Sequence, residues 1–163
     1  MLEKVKFKQF QHVKQTAYNA FMADAPLASP TMKAALSDSL NLALVGDAYY
    51  ALMMRRHLLK LGIPHVRVLH ALAAEFVSAR AQAFVYEEIK KCLTEEEETL
   101  CRRARNTDSS VPKSASVAEY RASTALEALV GYLVLSGRRE RLRELMTAVC
   151  EATRQYCALH HRE

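Results

Sequence analysis

The sequence predicts an all-α protein, and three features of its composition and patterning support that class. Glycine and proline are rare, with four residues each among 163. Alanine, leucine, glutamate and arginine, which favour helices, are frequent. Apolar residues recur with the period of a helix rather than with the alternation of a strand. The length suits one domain with its own core, so we expect a helical bundle.

A basic amphipathic segment over roughly residues 1–22 predicts the first helix. Pro26 and Pro30 follow it and interrupt the pattern, because proline cannot continue a helix. We therefore expect residues 1–38 to form an N-terminal extension that is helical and partly flexible. Residues 39–163 are expected to form the main domain.

Two long helices are predicted next. The first runs from about Ser37 to Leu61 and stops at Gly62 and Pro64, since glycine can cap a helix and proline cannot extend it. The second is expected to run without a break over roughly residues 66–91, with its apolar side packed on the core. That apolar side carries Leu69, Leu72, Ala73, Phe76, Ala79, Ala83, Val85 and Tyr86.

Two further helices begin with the same sequence signature. Thr94 and Glu97 have the spacing of a capping box, in which each side chain bonds the backbone of the other residue. Ser116 and Glu119 repeat that spacing at the start of the next helix. Between the two helices, residues 107–113 are polar and are expected to form an exposed loop.

The last helix is predicted from about Arg138 to His160, after Gly137 ends its predecessor. It carries two of the four cysteines, Cys150 and Cys157, and the others are Cys92 and Cys101. Their spacing lacks the close pairs of a zinc site, so we expect buried free thiols. A disulfide or metal role is the alternative.

Charge and hydropathy narrow the functional class. The formal net charge of +5 favours an anionic partner, although many soluble proteins share such an excess. No segment reaches the roughly 18 consecutive apolar residues that span a bilayer, and lysines stand where a signal peptide has its apolar region. We expect a cytoplasmic protein without a membrane partner.

Two carboxylates, Asp47 and Glu127, are the candidate catalytic residues. Each is expected near the middle of a helix on an apolar face. A charge withdrawn from water is costly unless it is paired, protonated or bound to a cation, so two such groups brought together would require a cation. Gly46 and Gly131 lie close to them in sequence and either permit a close approach or mark an ordinary tight helix crossing.

An ordered set of sequence blocks resembles Mini-ribonuclease III over roughly residues 40–142. The blocks are LALVGDA (42–48), RRHL (55–58), FVSARAQA (76–83), LTEEEE (93–98), RARN (103–106), VPK (111–113), YR (120–121) and LEALVGYL (126–133). Each block alone is weak, but their order and spacing are specific. The resemblance implies a dimeric, all-α endonuclease domain of the ribonuclease III superfamily that lacks a separate double-stranded RNA-binding domain.

By that resemblance, Asp47 and Glu127 are catalytic residues and metal ligands, with Mg²⁺ as the cofactor and Mn²⁺ as an alternative. Full-length ribonuclease III has further acidic residues, at the positions where this chain has Leu40, Ala43 and Thr124. Ala51 is another departure, because Mini-ribonuclease III commonly has Glu there. The changes at Leu40, Ala43 and Thr124 fit the Mini form and argue against a second tightly held ion. Mg²⁺ often takes only one or two protein carboxylates together with substrate phosphate oxygens.

The basic segment from Arg102 to Arg121 is the candidate RNA-binding surface. The candidate contacts are Arg102, Arg103, Arg105, Asn106, Lys113 and Arg121. Composition alone favours an ordinary solvated loop, and the resemblance reverses that preference. Double-stranded RNA is recognised mainly through phosphate and 2′-hydroxyl contacts, which such residues can make.

The sequence therefore predicts a homodimeric, Mg²⁺-dependent endoribonuclease acting on double-stranded RNA, with precursor large-subunit (23S) ribosomal RNA as the substrate that the resemblance implies. A ribosomal protein is a candidate partner. One alternative is a non-catalytic helical RNA-binding or ribosome-assembly protein, against which the retained Asp47 and Glu127 argue. Another is a phosphohydrolase of small phosphate esters, against which the basic loop argues. The apolar segment from Leu126 to Leu135 motivates the dimer prediction.

Overall fold

The computed structural model describes residues 2–26, 38–107 and 110–161. Over those ranges the chain forms α-helices and no strand, which confirms the predicted all-α class. The helices are α1 (Leu2–Ala23), α2 (Ser39–Lys60), α3 (Val66–Phe76), α4 (Ala79–Ile89), α5 (Glu95–Arg105), α6 (Val117–Leu135) and α7 (Arg139–His160), and a short 3-10 helix (Lys90–Cys92) follows α4. The predicted break at Pro30 lies outside the described residues, as do Asp108 and Ser109 of the predicted loop.

The chain divides into two units, residues 1–32 and 33–163. Helix α1 belongs to the first unit and confirms the predicted N-terminal helix. Helices α2 to α7 belong to the second. The predicted domain boundary near residue 38 stays a prediction. None of the described helices is both long enough and apolar enough to cross a membrane.

Helix α6 is the central helix of the second unit and packs against α2, α4, α5 and α7. Leu126, Leu129, Val130 and Leu133 are each 0% exposed. Burying their apolar side chains stabilises the domain by roughly 2 kcal/mol each. The segment that motivated the dimer prediction is therefore core of a single chain, and only its end at Leu135 is exposed.

The prediction of one unbroken helix over residues 66–91 is wrong. It breaks after Phe76, and Ser78 caps α4 by accepting a hydrogen bond from the Ala81 backbone N–H at 3.2 Å. The break lets α3 pack against α2 while α4 packs against α6 and α7. Among the residues predicted to be buried, Ala73, Val85 and Tyr86 are buried, and the others are only partly so.

Both predicted capping boxes are confirmed, at Thr94 with Glu97 and at Ser116 with Glu119. Glu97 also receives two hydrogen bonds of 2.8 Å from Arg141 of α7. Burial alone would raise the pKa of Glu97, but the bonds from Arg141 and the Thr94 backbone leave that pKa lowered. This ion pair fixes α5 against α7.

The four cysteines are free, but the prediction that they are buried is correct for one of them. Only Cys101 is buried, whereas Cys92 is exposed and the two cysteines of α7 are partly exposed. Burial raises the pKa of the Cys101 thiol to about 12, so this thiol is inert at neutral pH.

Candidate active site

Helices α2 and α6 approach each other closely at Gly46 and Gly131. A Cβ atom at Gly46 would overlap the Glu127 carbonyl oxygen and lie 2.8 Å from the Gly131 backbone nitrogen. A Cβ atom at Gly131 would overlap the Leu42 carbonyl oxygen and lie 3.0 Å from the Gly46 backbone nitrogen. Both glycines therefore permit a backbone-to-backbone contact that no larger residue allows. The contact therefore places Gly46 and the adjacent Asp47 of α2 next to the backbone of Glu127 in α6.

The crossing brings Glu127 within electrostatic reach of Asp47. Burial is the main cause that raises the pKa of Glu127, to about 7, and the charge of Asp47 raises it further. The side-chain amide of Gln82 opposes the shift. Among the described residues, no lysine or arginine is one of the groups that shift the pKa of Glu127.

The prediction that both carboxylates lie on buried apolar faces is correct only for Glu127, which is partly buried. Asp47 is exposed. Asp47 lies at the edge of the buried side of α2, because Ala43 and Tyr50, one turn before and after it, are buried, as is Gly46. Leu40 and Leu44, which share its face, are also exposed.

The two carboxylates fit a cation that needs few protein ligands. Within the described ranges, no group of three or more His, Cys, Asp or Glu side chains could hold a metal ion. The neighbouring Thr124 has its hydroxyl bonded within α6, where it donates a 2.9 Å hydrogen bond to the Tyr120 carbonyl. Mg²⁺ keeps several waters and accepts one or two protein carboxylates, which suits one exposed and one partly buried group.

Four of the predicted RNA-binding residues come together on one surface. Arg102, Arg105, Asn106 and Arg121 line a depression of about 450 Å³ between α4, α5 and α6. Tyr86, Lys90, Leu93 and Glu98 complete its wall. We call this surface the basic depression. Its excess of positive side chains suits the phosphates of a nucleic acid.

Sequence reasoning missed Lys90 and Tyr86 in this depression. The Lys90 ammonium lies 5.3 Å from the centre of the Tyr86 ring, and the Arg105 guanidinium lies 5.8 Å from the same centre. These cation–π contacts hold two positive charges on one ring. The adjacent Lys90 and Lys91 were the available clue, but they stood in a helix expected to serve core packing.

The structure separates Arg103 from the basic depression. Its Nε atom donates a 3.3 Å hydrogen bond to Ser39 Oγ, and its side chain lines a different depression with Glu95 and Tyr132. Lys113 is exposed in the loop before α6 and does not line the basic depression. Arg103 and Lys113 therefore lie outside the basic depression, and their contact with RNA stays a prediction.

Glu127→Gln is expected to stabilise the metal-free protein at neutral and alkaline pH. Because the folded pKa of Glu127 is about 7 and its ordinary value is 4.5, the folded state holds this proton more tightly than the unfolded state does. The stability that Glu127 contributes is complete below about pH 4.5 and is lost as pH rises through 7.

Glutamine does not titrate, so the variant should gain stability on the parent as pH rises, by roughly 2.5 kcal/mol between pH 5 and pH 8. Urea unfolding in chelator at pH 5 and pH 8 measures that gain. The same difference between the two proteins at both pH values would refute the assigned pKa.

The all-α fold and the match of residues 40–138 to the family model of the Ribonuclease III domain define a ribonuclease III-type nuclease domain. A Mini-ribonuclease 3 from Symbiobacterium thermophilum is 46% identical over 69% of this chain and 87% of its own length. One from Brevibacillus brevis is 44% identical over 68% of this chain and 84% of its own.

A crystal structure of a protein from Fusobacterium nucleatum superposes with a TM-score of 0.66 and 31% identity, over 72% of this chain and 98% of that one. The chain belongs to the Mini-ribonuclease 3 family and is an endoribonuclease. Helix α1 lies outside the residues that match the family model.

Proposed function

We propose that this endoribonuclease cleaves double-stranded RNA with a divalent cation, Mg²⁺ or Mn²⁺, held by Asp47 and Glu127. The observation that carries the proposal is the close contact of α2 and α6 at Gly46 and Gly131. This contact brings two carboxylates from separate helices near each other. The pKa of Glu127 is raised by burial and, in addition, by the negative charge of Asp47. A divalent cation supplies the missing charge.

The two carboxylates have different roles in this proposal. Glu127 is partly buried in the central helix, so its position is fixed by the core. Asp47 is exposed and can meet a substrate phosphate that arrives from solvent. When bound, the cation would lower the pKa of a water and stabilise charge on the leaving 3′-oxygen, so that the product carries a 5′-phosphate.

Cleavage of a labelled RNA duplex tests this proposal against the non-catalytic alternative. We expect the duplex to be cut in Mg²⁺ or Mn²⁺, to remain intact in chelator, and to yield 5′-phosphate ends. The single strand of the same sequence serves as the control and should resist. A protein that binds the duplex but leaves it uncut in every metal would instead be an RNA-binding or ribosome-assembly protein.

Precursor 23S ribosomal RNA is the natural substrate that we propose, and the cytoplasm is the compartment. The proposal is supported by family membership. A ribosomal protein that remodels the precursor is the candidate partner. Incubating the enzyme with the precursor, with and without bound ribosomal proteins, and mapping the new ends tests this assignment. Random cleavage under both conditions would count against it.

A homodimer is proposed from the exposed apolar side of α2. Leu44 is 74% exposed and Leu52 is 53% exposed, and both lie on α2, the helix that also carries the exposed Asp47. A symmetric contact across this face would bury both leucines. It would also set two active sites side by side, as cutting both strands of a duplex requires.

Leu44→Asp is expected to convert the dimer to a monomer, because it places a charge in the apolar contact. Sedimentation velocity at micromolar concentration measures the mass. Leu159→Asp is the matched control, since Leu159 is 63% exposed on α7 rather than on α2. A parent protein that is monomeric, or a Leu44 variant that stays dimeric, would refute this interface.

The basic depression is proposed to hold the RNA backbone. Replacing Arg102, Arg105 and Arg121 by Ala should weaken duplex binding for all sequences and reduce its salt dependence. The slope should fall by up to about 0.9 log unit for each phosphate that the variant no longer neutralises. Binding is measured in chelator at several salt concentrations.

A matched control removes three exposed arginines of α7, namely Arg139, Arg143 and Arg154. This control lowers the net charge equally but leaves the basic depression intact. Equal reductions of affinity and slope in the two triple variants would mean that overall charge, not this surface, governs binding.

A further inference from the structure

A groove of about 700 Å³ lies between α2, α6 and α7, on a surface that the proposed chemistry leaves unused. Asp47 and Glu127 do not line it, and neither do the arginines of the basic depression. Leu44 and Leu52 of the proposed dimer contact also lie outside it. We call this surface the α7 groove. Its side chains have no part in cleavage, RNA binding or dimerisation as proposed above.

The rim of the α7 groove is positively charged. Four arginines line it and all are exposed, namely Arg56 of α2 and Arg139, Arg143 and Arg154 of α7. None of the described residues that line the groove is an aspartate or a glutamate. An anionic partner would therefore meet no repelling carboxylate on the walls.

The chain itself offsets only part of this charge. Arg143 has an ion pair with Glu140 at 2.9 Å, and Arg154 has one with Glu151 at 2.6 Å. Exposed pairs of this kind are weak, so a carboxylate from another molecule can replace the partner. Among the described residues, Arg56 and Arg139 have no ion-pair partner. The rim thus offers four cations to a second molecule.

The floor of the α7 groove is apolar. Met53 and Val134 are partly buried and pack against the core, and Leu142 and Met146 are 7% and 6% exposed. All four line the groove. Methionine is flexible and polarizable, which suits a surface that accepts apolar side chains of varied shape. An occupant with anionic groups alone would leave this floor in contact with water.

The groove is elongated along α7. Its lining residues on that helix include Arg139, Arg143, Thr147, Cys150 and Arg154, which share one helix face. At 1.5 Å per residue this face is about 22 Å long. That length exceeds a small anion and equals about four turns of a second helix. An RNA strand is also long enough, but its sugar–phosphate backbone has no apolar ridge to cover the floor.

We propose that the α7 groove binds an acidic amphipathic helix of a partner protein. Apolar side chains at positions i, i+3, i+4 and i+7 of that helix would cover Met53, Leu142 and Met146. Its flanking aspartates and glutamates would face the four arginines of the rim. The groove would attach the nuclease to its partner and leave Asp47 and Glu127 accessible to RNA.

A fluorescent synthetic peptide of about 15 residues tests the proposal, with leucines on one helix face and glutamates on the others. A scrambled peptide of the same composition has no apolar face and is the control. We expect fluorescence anisotropy to show saturable binding of the amphipathic peptide and much weaker binding of the scrambled one. Equal binding of the two peptides would overturn the proposal, because charge alone would then explain the attraction.

Thr147→Glu places a negative charge in the middle of the groove and should weaken peptide binding at least about 10-fold. Thr147→Gln is the matched uncharged control and should bind like the parent. Thr147 is exposed, and its hydroxyl donates only to the Arg143 carbonyl of its own helix, so both variants should fold. Thermal unfolding checks that they do.

The triple alanine variant of Arg139, Arg143 and Arg154 should weaken peptide binding by a similar factor. The triple variant of the basic depression should leave peptide binding unchanged. Peptide binding that survives both Thr147→Glu and the loss of the three α7 arginines would overturn the proposed site. A parent protein without saturable binding up to about 1 mM peptide would do the same. Loss of duplex binding without loss of peptide binding in the α7 variant would assign the groove to RNA instead.

Discussion

Asp47→Asn and Glu127→Gln are each expected to slow duplex cleavage by at least about 100-fold. Each amide keeps the size of the side chain and removes the charge that holds the cation. Duplex binding in chelator should be largely unchanged, because neither substitution alters the arginine and lysine side chains of the basic depression. The defect should therefore fall on the cleavage step and not on the affinity for RNA.

Single-turnover cleavage of an end-labelled duplex, with enzyme in excess, separates the rate of the cleavage step from the affinity for RNA. Asp38→Asn provides the matched control on α2. Asp38 caps that helix by accepting a 2.7 Å hydrogen bond from the Leu40 backbone N–H, and asparagine caps equally well. This control should cleave like the parent. Near-parental cleavage by either active-site variant, with the same metal requirement, would remove that residue from the catalytic site.

Gly131→Ala has the largest expected effect on stability, a loss of at least about 3 kcal/mol. In an open helix the same change would stabilise by roughly 1 kcal/mol, because alanine is the better helix former. Here the new Cβ would overlap the Leu42 carbonyl oxygen, and backbone atoms of two packed helices cannot move aside as a flexible side chain can. Any relief of the overlap would separate α2 from α6 and so separate Asp47 from Glu127.

Urea unfolding of Gly131→Ala and of a Gly62→Ala control measures this effect. Gly62 has a φ of +71° and nothing within 4 Å of an added Cβ, so alanine there should cost only about 1 kcal/mol of backbone strain. A Gly131 variant as stable as the parent would contradict the close helix contact.

The helix boundaries that the sequence predicted best are those with capping residues. Thr94 and Ser116 mark their helices because the cap and its partner lie only three residues apart. The break at Ser78 was missed, since it interrupts an apolar pattern that reads as continuous and is enforced by packing on α2 and α6. The sequence pattern alone does not reveal that packing favours two short helices over one long helix.

The active site was predicted in part. The family resemblance pointed to Asp47 and Glu127, whose catalytic role stays a prediction. The sequence left open whether the two nearby glycines permit a close approach or mark an ordinary crossing, and the structure contains the close approach. The dimer prediction rested on an apolar segment of α6 that is core of a single chain. A helix that is apolar all round belongs in a core, and that criterion would have assigned α6 correctly. The influence of Gln82 on the pKa of Glu127 was not predicted, because it depends on the packing of α4 against α6, which no local spacing reveals.

Calorimetric titration of Mg²⁺ into the metal-free protein tests most directly whether Asp47 and Glu127 hold one cation between them. We expect one binding site per chain in the parent and a large loss of affinity in Asp47→Asn and in Glu127→Gln. The double variant should bind little more weakly than either single variant, because ligands of one ion act together and their effects do not add. Mg²⁺ binding that survives both substitutions unchanged would contradict the shared site.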